Sequence, residues 1–200
     1  MENFWYEKIF RPLLFLLNPE LSHNISLKLL SSISRKFNIA SIFEVESSIL
    51  TNNIFGLEFK NPIGIAAGFD KDADFISACV ILMPQDGNPK PRIFRLKKDY
   101  SLVNRMGFPS KGVQKLKEKL KNRPEKIILG INIGVNNTTP LQGLVHDYLI
   151  CLEELYDWGD YFAVNISSPN TPILTKLHKY PNVLNQIFSS LRYFVNNQKQ

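Results

Sequence analysis

Ile127-Ile128-Leu129-Gly130-Ile131-Asn132-Ile133 and Tyr161-Phe162-Ala163-Val164-Asn165-Ile166 are the two stretches whose reading decides the fold. Both are almost wholly apolar, which suits strands buried on both faces rather than strands with one wet side. Between them Tyr148, Leu149, Leu152 and Leu155 recur at helical spacing. Buried strand, helix and buried strand together make a parallel βαβ unit. Leu184, Ile187, Phe188 and Leu191 mark a helix after the second strand, and Val113, Leu116 and Leu120 a basic helix before the first. Further upstream, residues 63–67 (Ile-Gly-Ile-Ala-Ala) read as a third buried strand running into a glycine loop. Residues 54–59 and 93–96 read as short strands, and residues 84–91 as a loop rich in Pro, Gly and Asn. An open doubly wound sheet and a (β/α) barrel both fit this pattern.

The first 40 residues have another texture. Phe4, Trp5, Ile9, Phe10 and Leu13 to Leu17 make a helix that is apolar almost all round. Asn18-Pro19 ends it and starts the next, since Asn is a good N-cap and Pro a good first helical residue. Leu21, Ile25, Leu29, Ile33 and Phe37 then form a stripe at every fourth position. A hairpin of this kind must bury its apolar surface against a domain or in a membrane interface. Its longest apolar run, Leu13 to Leu17, is far too short to span a bilayer. The expected organisation is a helical hairpin over 1–40 and an α/β domain over 41–200.

Composition narrows the partners. The chain carries a net charge of +6, but its Lys and Arg are scattered without interleaved aromatics, so nucleic acid is not expected. An anionic membrane surface or anionic ligands suit the charge. Cys79 and Cys151 lack the spacing of a metal site or disulfide framework, and His23, His146 and His178 are dispersed, so no metal is expected. Met1 to Tyr6 has neither a basic leader nor a cleavage site, so no targeting peptide is expected there.

In either α/β architecture ligands sit at the carboxyl ends of the strands. The polar residues at those ends are Asp70-Lys71, Asn132 and residues 165–170 (Asn-Ile-Ser-Ser-Pro-Asn). Two carboxamides, Asn132 and Asn165, donate and accept at once, which suits a heteroaromatic ring with mixed edges such as a flavin or a pyrimidine. Lys71 adds positive charge for a carboxylate or a flavin edge. Taken singly, an Asn after a strand is a turn former and a Lys is solvated. Their convergence on one predicted face raises the functional reading beside these bland ones.

At these residues a family resemblance becomes specific. Residues 61–71, Asn-Pro-Ile-Gly-Ile-Ala-Ala-Gly-Phe-Asp-Lys, look like the first barrel strand of the dihydroorotate dehydrogenases. Asn104-Arg105-Met106-Gly107-Phe108 resembles their orotate-contacting loop. Residues 129–134 and 165–172 resemble their flavin- and substrate-facing strand ends. The hairpin, down to Asn18-Pro19-Glu20 and His23, is similar to that of the quinone-linked, membrane-associated class.

The resemblance implies an incomplete (β/α)8 TIM barrel preceded by a two-helix hairpin. It implies oxidation of dihydroorotate to orotate with FMN, and ubiquinone or menaquinone as acceptor. Ser168 would be the catalytic base, taking a proton from C5 while the C6 hydride leaves for the flavin. Lys71, Asn104, Arg105, Met106, Gly107, Phe108, Asn165 and Asn170 would hold the substrate, and Ala67, Gly68, Asn132 and Asn165 the flavin. His23 and Arg95 match positions lining the quinone tunnel. Peripheral association with the cytoplasmic face of a bacterial cell membrane follows, with the mitochondrial inner membrane as the alternative.

Departures from the family bound these expectations. Residues 72–84 leave no room for a further barrel strand and its flavin-contacting Thr, with Cys79 to Met83 as the remnant. Three barrel strands are expected, at 63–67, 127–133 and 161–166, and the loops after strands 7 and 8 that hold a phosphate would lie beyond Gln200. Val135, Ile173 and Thr175 replace the family's usual Lys, Gly and Arg. An inactive truncated remnant, a non-enzymatic membrane-interface module and an enzyme completed by another chain are therefore the alternative expectations.

Overall fold

Asn18 and Pro19 divide two helices in the computed structural model, which describes residues 4–36, 45, 47–73, 78–123 and 127–198. In chain order the elements are helices α1 (Arg11–Leu16) and α2 (Pro19–Lys36), strands β1 (Asn52–Ile54), β2 (Leu57–Phe59), β3 (Ala78–Val80), β4 (Ile93–Leu96) and β5 (Ser101–Asn104), helix α3 (Val113–Leu120), strand β6 (Gly130–Ile133), helix α4 (Leu144–Leu155), strand β7 (Tyr161–Val164) and helix α5 (Pro181–Gln198). They form two compact units, residues 1–44 with 89–105 and residues 45–88 with 106–200.

In the first unit a wider helical turn, Tyr6–Phe10, leads into α1. Leu17 breaks the helix with extended backbone. Asn18 then caps α2, its Oδ1 accepting from the Glu20 N–H at 2.9 Å, which satisfies one of the orphan donors of a helix start. Phe37, the last member of the predicted stripe, lies outside the described residues. Strand β4, expected from its sequence, folds back on β5, which was not expected, with Ile93 opposite Asn104 and Leu96 opposite Ser101. Arg92, immediately before β4, pairs with Glu20 near the start of α2.

The second unit is α/β, built on a parallel sheet in the order β3-β6-β7. Ala78 lies opposite Ile131, and Ile131 opposite Phe162. One face, carrying Ala78, Val80, Ile131 and Ile133, packs with Val113 and Leu116 of α3, Tyr148 and Leu155 of α4 and Ile187 of α5. On the other side Cys79, Ile81 and Phe108 form a smaller cluster with Ala67 against it. The helices predicted around Val113–Leu120, Tyr148–Leu155 and Leu184–Leu191 form and turn most of their apolar stripes to the core, but Phe188 of the last one stays 44% exposed.

The expected strand at 63–67 is corrected. Ile63 to Ala66 make no sheet pairing, and Ile63 is 86% exposed. Beside β6 stands Ala78–Val80 instead, so the stretch 72–84 does contribute a strand. The reason lies in what each segment buries. Gly64, Ala66, Ala67 and Gly68 offer little side chain, whereas Ala78, Cys79 and Val80 are at most 4% exposed. The predicted strand at 54–59 is also corrected to a hairpin, β1 and β2, with Phe55 and Gly56 both at positive φ (54° and 80°) as a two-residue turn requires.

Candidate active site at the strand ends

Asn132 sits in the middle strand with Cys79 on one side and Ala163 on the other. Its Nδ2 donates to Cys79 Sγ at 3.5 Å. Two small side chains thus flank one carboxamide, Cys79 buried and Ala163 exposed. Burial pushes the Cys79 thiol up to about 11, against the pull of the nearby Lys71 ammonium. Cys79 is therefore a protonated thiol at neutral pH and no base or nucleophile. Lys71 is half-buried, and its carbonyl accepts from the Cys79 N–H at 2.9 Å. Ala67 packs on the same cluster, and Gly68 is an exposed turn residue with open space where a side chain would stand.

Asn165 follows β7 directly, its N–H donating to Ile133 O at 2.9 Å. Its Oδ1 accepts from the Ser167 N–H at 3.2 Å, a local turn that rounds the chain over the strand end. Tyr148, wholly buried on α4, donates its hydroxyl to the Asn165 carbonyl at 2.7 Å. Burial raises the Tyr148 phenol well above its ordinary value, so it remains a donor. Ser168 is half-buried; its Oγ accepts from the hydroxyl of Thr171, which is fully buried, at 3.4 Å. Asn170 is a half-buried turn residue in the same loop. Tyr148→Phe is expected to cost about 1–3 kcal/mol, because the Asn165 carbonyl is left without its donor inside the protein. Denaturant unfolding of the two proteins measures it, and equal midpoints would mean that the hydroxyl contributes nothing.

The loop Met106-Gly107-Phe108 covers the carboxyl ends of β3 and β6. Phe108 is 8% exposed and packs on Cys79 and Ile81. Gly107 and Phe108 both have positive φ, 69° and 54°. A side chain at Gly107 would meet the Asn88 backbone nitrogen at 2.6 Å, so only glycine fits. The Met106 carbonyl accepts from the Asn88 N–H at 2.9 Å. Gln85, Asn136 and Asn137, which sequence reasoning missed, knit this loop to the end of β6. An amide in a Pro-Gly-rich loop and a pair of Asn after a strand both read as turn formers, so no local signal separates them.

The remaining predicted residues lie in the first unit. Asn104 ends β5 and is exposed, and Arg105 donates to Pro91 O at 3.2 Å. Arg95 gives its guanidinium to Leu17 O at 2.7 Å, Leu14 O at 3.3 Å and Ser22 Oγ at 3.1 Å, and stacks on the Phe15 ring at 4.5 Å. It thereby caps the carbonyls at the end of α1, where a cation is favoured. His23 is half-buried on α2. Among the described residues no helix is long and apolar enough to cross a membrane, and no three His, Cys, Asp or Glu side chains gather as a metal site.

The sequence signature described as dihydroorotate dehydrogenase matches residues 49–198. The chain belongs to the dihydroorotate dehydrogenase family. A dihydroorotate dehydrogenase (quinone) of Cellvibrio japonicus is 42% identical over 194 residues, covering 91% of this chain and 56% of the relative. One of Shewanella frigidimarina is 40% identical, with 94% and 58% covered. The crystal structure of DHODH from Eimeria tenella in complex with ferulenol superposes with a TM-score of 0.75 at 30% identity, covering 92% of this chain and 54% of that one. The chain spans about half the length of the curated relatives it matches.

Proposed function

We propose that this chain supplies the substrate-facing part of a quinone-linked dihydroorotate dehydrogenase, which oxidises dihydroorotate to orotate with FMN and passes the electrons to ubiquinone or menaquinone. The observation that carries the reading is the set of polar groups on β6 and just after β7: the Asn132 carboxamide, the Asn165 turn and the Ser168 hydroxyl. Residues 1–40 act as the membrane and quinone hairpin, and residues 41–200 as a partial (β/α)8 barrel.

The residues present fit a flavin. Asn132 offers a half-buried carboxamide beside the exposed Ala163, and Gly68 has open space where a side chain would stand. Ala67, Gly68, Asn132 and Asn165 would hold FMN, which supplies a two-electron acceptor when bound. Lys71 offers charge to the orotate carboxylate. Met106, Gly107 and Phe108 close over the substrate, and Asn165 and Asn170 offer amide groups to its ring. Ser168 Oγ would take the proton from the substrate carbon as its own hydroxyl proton passes to solvent. A serine hydroxyl is a weak base, and the Thr171 hydroxyl donating to the same oxygen eases negative charge on it. In flavin-loaded protein, anaerobic dihydroorotate should bleach the flavin absorbance and a quinone should restore it. Orotate binding without bleaching would sink the enzymatic reading.

Support for the hairpin's role comes from its exposed apolar side chains. Phe4, Trp5, Phe10, Leu13 and Leu16 are each more than half exposed, and so is Leu29 on α2. Helices of this kind lie in a membrane interface rather than crossing it. His23 and Arg95 line the quinone's approach, on the cytoplasmic face of a bacterial cell membrane. Removing residues 1–40 should move the protein from pellet to supernatant when it is sedimented with liposomes containing anionic lipid. An unchanged distribution would refute the membrane role.

A further inference from the structure

Gln85 stands in the Pro-rich loop after β3, where sequence offers it no role. Its main chain is tied to Ser110 by two hydrogen bonds of 3.0 Å, one in each direction. Its side chain then uses both ends of the amide. Nε2 donates to Gly107 O and to Phe108 O, each at 3.0 Å. Oε1 accepts from the Asn137 N–H at 3.0 Å and from Asn136 Nδ2 at 3.4 Å. Asn136 is itself locked, exchanging bonds of 2.9 Å with the Met83 main chain in both directions. A second donor, Asn137 Nδ2, reaches Gly107 O at 3.2 Å.

The carbonyls that Gln85 grips belong to the two consecutive residues at positive φ, Gly107 and Phe108. Phe108 is a bulky residue in a conformation such residues avoid, so the surroundings must hold it there. Only a neutral amide can do what Gln85 does: two N–H donors for two carbonyls, and one oxygen for two donors across the gap. The Phe108 ring, fixed in this way, lies over the end of β6, where a side chain at Gly134 would meet it at 2.9 Å.

We infer that Gln85 is a positioning residue for substrate binding: its carboxamide locks the Met106–Phe108 loop to the end of β6, so that the loop is preorganised over the strand-end site. The inference rests on the reading of that loop as the orotate-facing one. Preorganisation raises affinity because a loop already held in its bound shape has no ordering cost left to meet on binding.

Two near-isosteric variants test it. Gln85→Leu removes both ends of the amide, while Gln85→Glu keeps the acceptor for Asn137 and loses the two donors. Both should weaken orotate, measured by calorimetry, roughly 5- to 100-fold, the scale of two hydrogen bonds. In turnover the KM for dihydroorotate should rise while kcat stays within a few-fold. Hydrogen exchange of the Asn137 amide should quicken in Gln85→Leu and stay slow in Gln85→Glu, with the Ile131 and Ile133 amides unchanged in both. Unchanged orotate affinity with a loosened Asn137 amide would make the bonds merely structural and overturn the inference. Loss of protection across β6 in both variants would overturn it too, as a general folding defect. A parent protein that binds no orotate refutes the proposed substrate instead, and the Asn137 amide still decides whether the clamp exists.

Discussion

In the proposed reaction, Ser168→Ala is expected to slow reduction of the bound flavin by dihydroorotate by about 10²- to 10⁴-fold, the span removed with a positioned general base. Orotate affinity should change far less, because the hydroxyl acts on the barrier and not on the ground state. The structure sharpens the expectation. Ser168 Oγ lies half-buried with one hydroxyl, Thr171's, donating to it. Cys79, which shares the sheet face with Asn132, is held protonated by burial and cannot replace it. Thr171→Val should therefore slow reduction as well, by less than Ser168→Ala, since it removes the supporting donor and not the base. Rapid-mixing measurement of flavin absorbance separates these effects. Equal losses in reduction rate and orotate affinity for Ser168→Ala would make Ser168 a binding residue only.

Arg92→Ala is expected to destabilise the first unit by about 3–5 kcal/mol, the range for removing one partner of a buried ion pair. Arg92 Nη2 meets Glu20 Oε1 at 2.5 Å, its Nε lies 3.2 Å from both carboxylate oxygens, and the two side chains are only 9% and 13% exposed. Lys90, 3.4 Å from Glu20 but 67% exposed, is a weak replacement and argues for the lower end of the range. The Arg92 hydrogen bond, more than its charge, holds the Glu20 carboxyl below the usual carboxylate range. A carboxyl so depressed contributes stability at pH values above its unfolded value of roughly 4.3, and that stability is lost as pH falls through the lower, folded value. Unfolding should therefore become easier in acid for the parent protein and show a flatter acid limb in Glu20→Gln. Trp5 fluorescence, read in a Trp158→Phe background, reports on this unit. Replacing both Glu20 and Arg92 with Leu should cost less than Arg92→Ala alone, since no buried charge is stranded. A double variant as damaged as the single one would mean that packing, not charge, sets the cost.

Much of the fold was legible because its signals are local. The stripe of Val113, Leu116 and Leu120 and the run around Tyr148 and Leu152 predicted helices that bury those same residues. Asn18 was read as a cap and makes the cap's hydrogen bond. Apolar strands at 130–133 and 161–164 appeared inside the predicted stretches. Helical and strand periodicity are written among residues a few positions apart, so a single sequence carries them. The motif at 61–71 misled for the same reason in reverse: an apolar run resembles a strand whether or not it joins a sheet, and Ile63 to Ala66 lie outside the strands of the described residues.

Local pattern alone thus carried the parallel α/β character of the domain, the family, and the place of Asn165 directly after β7, whereas Asn132, expected at a strand end, lies inside β6. Packing between distant segments set Ala78–Val80 beside β6 and Arg95 at the end of α1. It also decided that Arg92 grips Glu20 across 72 positions, and that Gln85 ties Phe108, 23 positions away, to Asn137, 52 away. Each of these depends on a match of donor, acceptor and burial between distant segments. Chain connectivity imposes no spacing on such a match, so it leaves no period to read and exists only once the segments have packed.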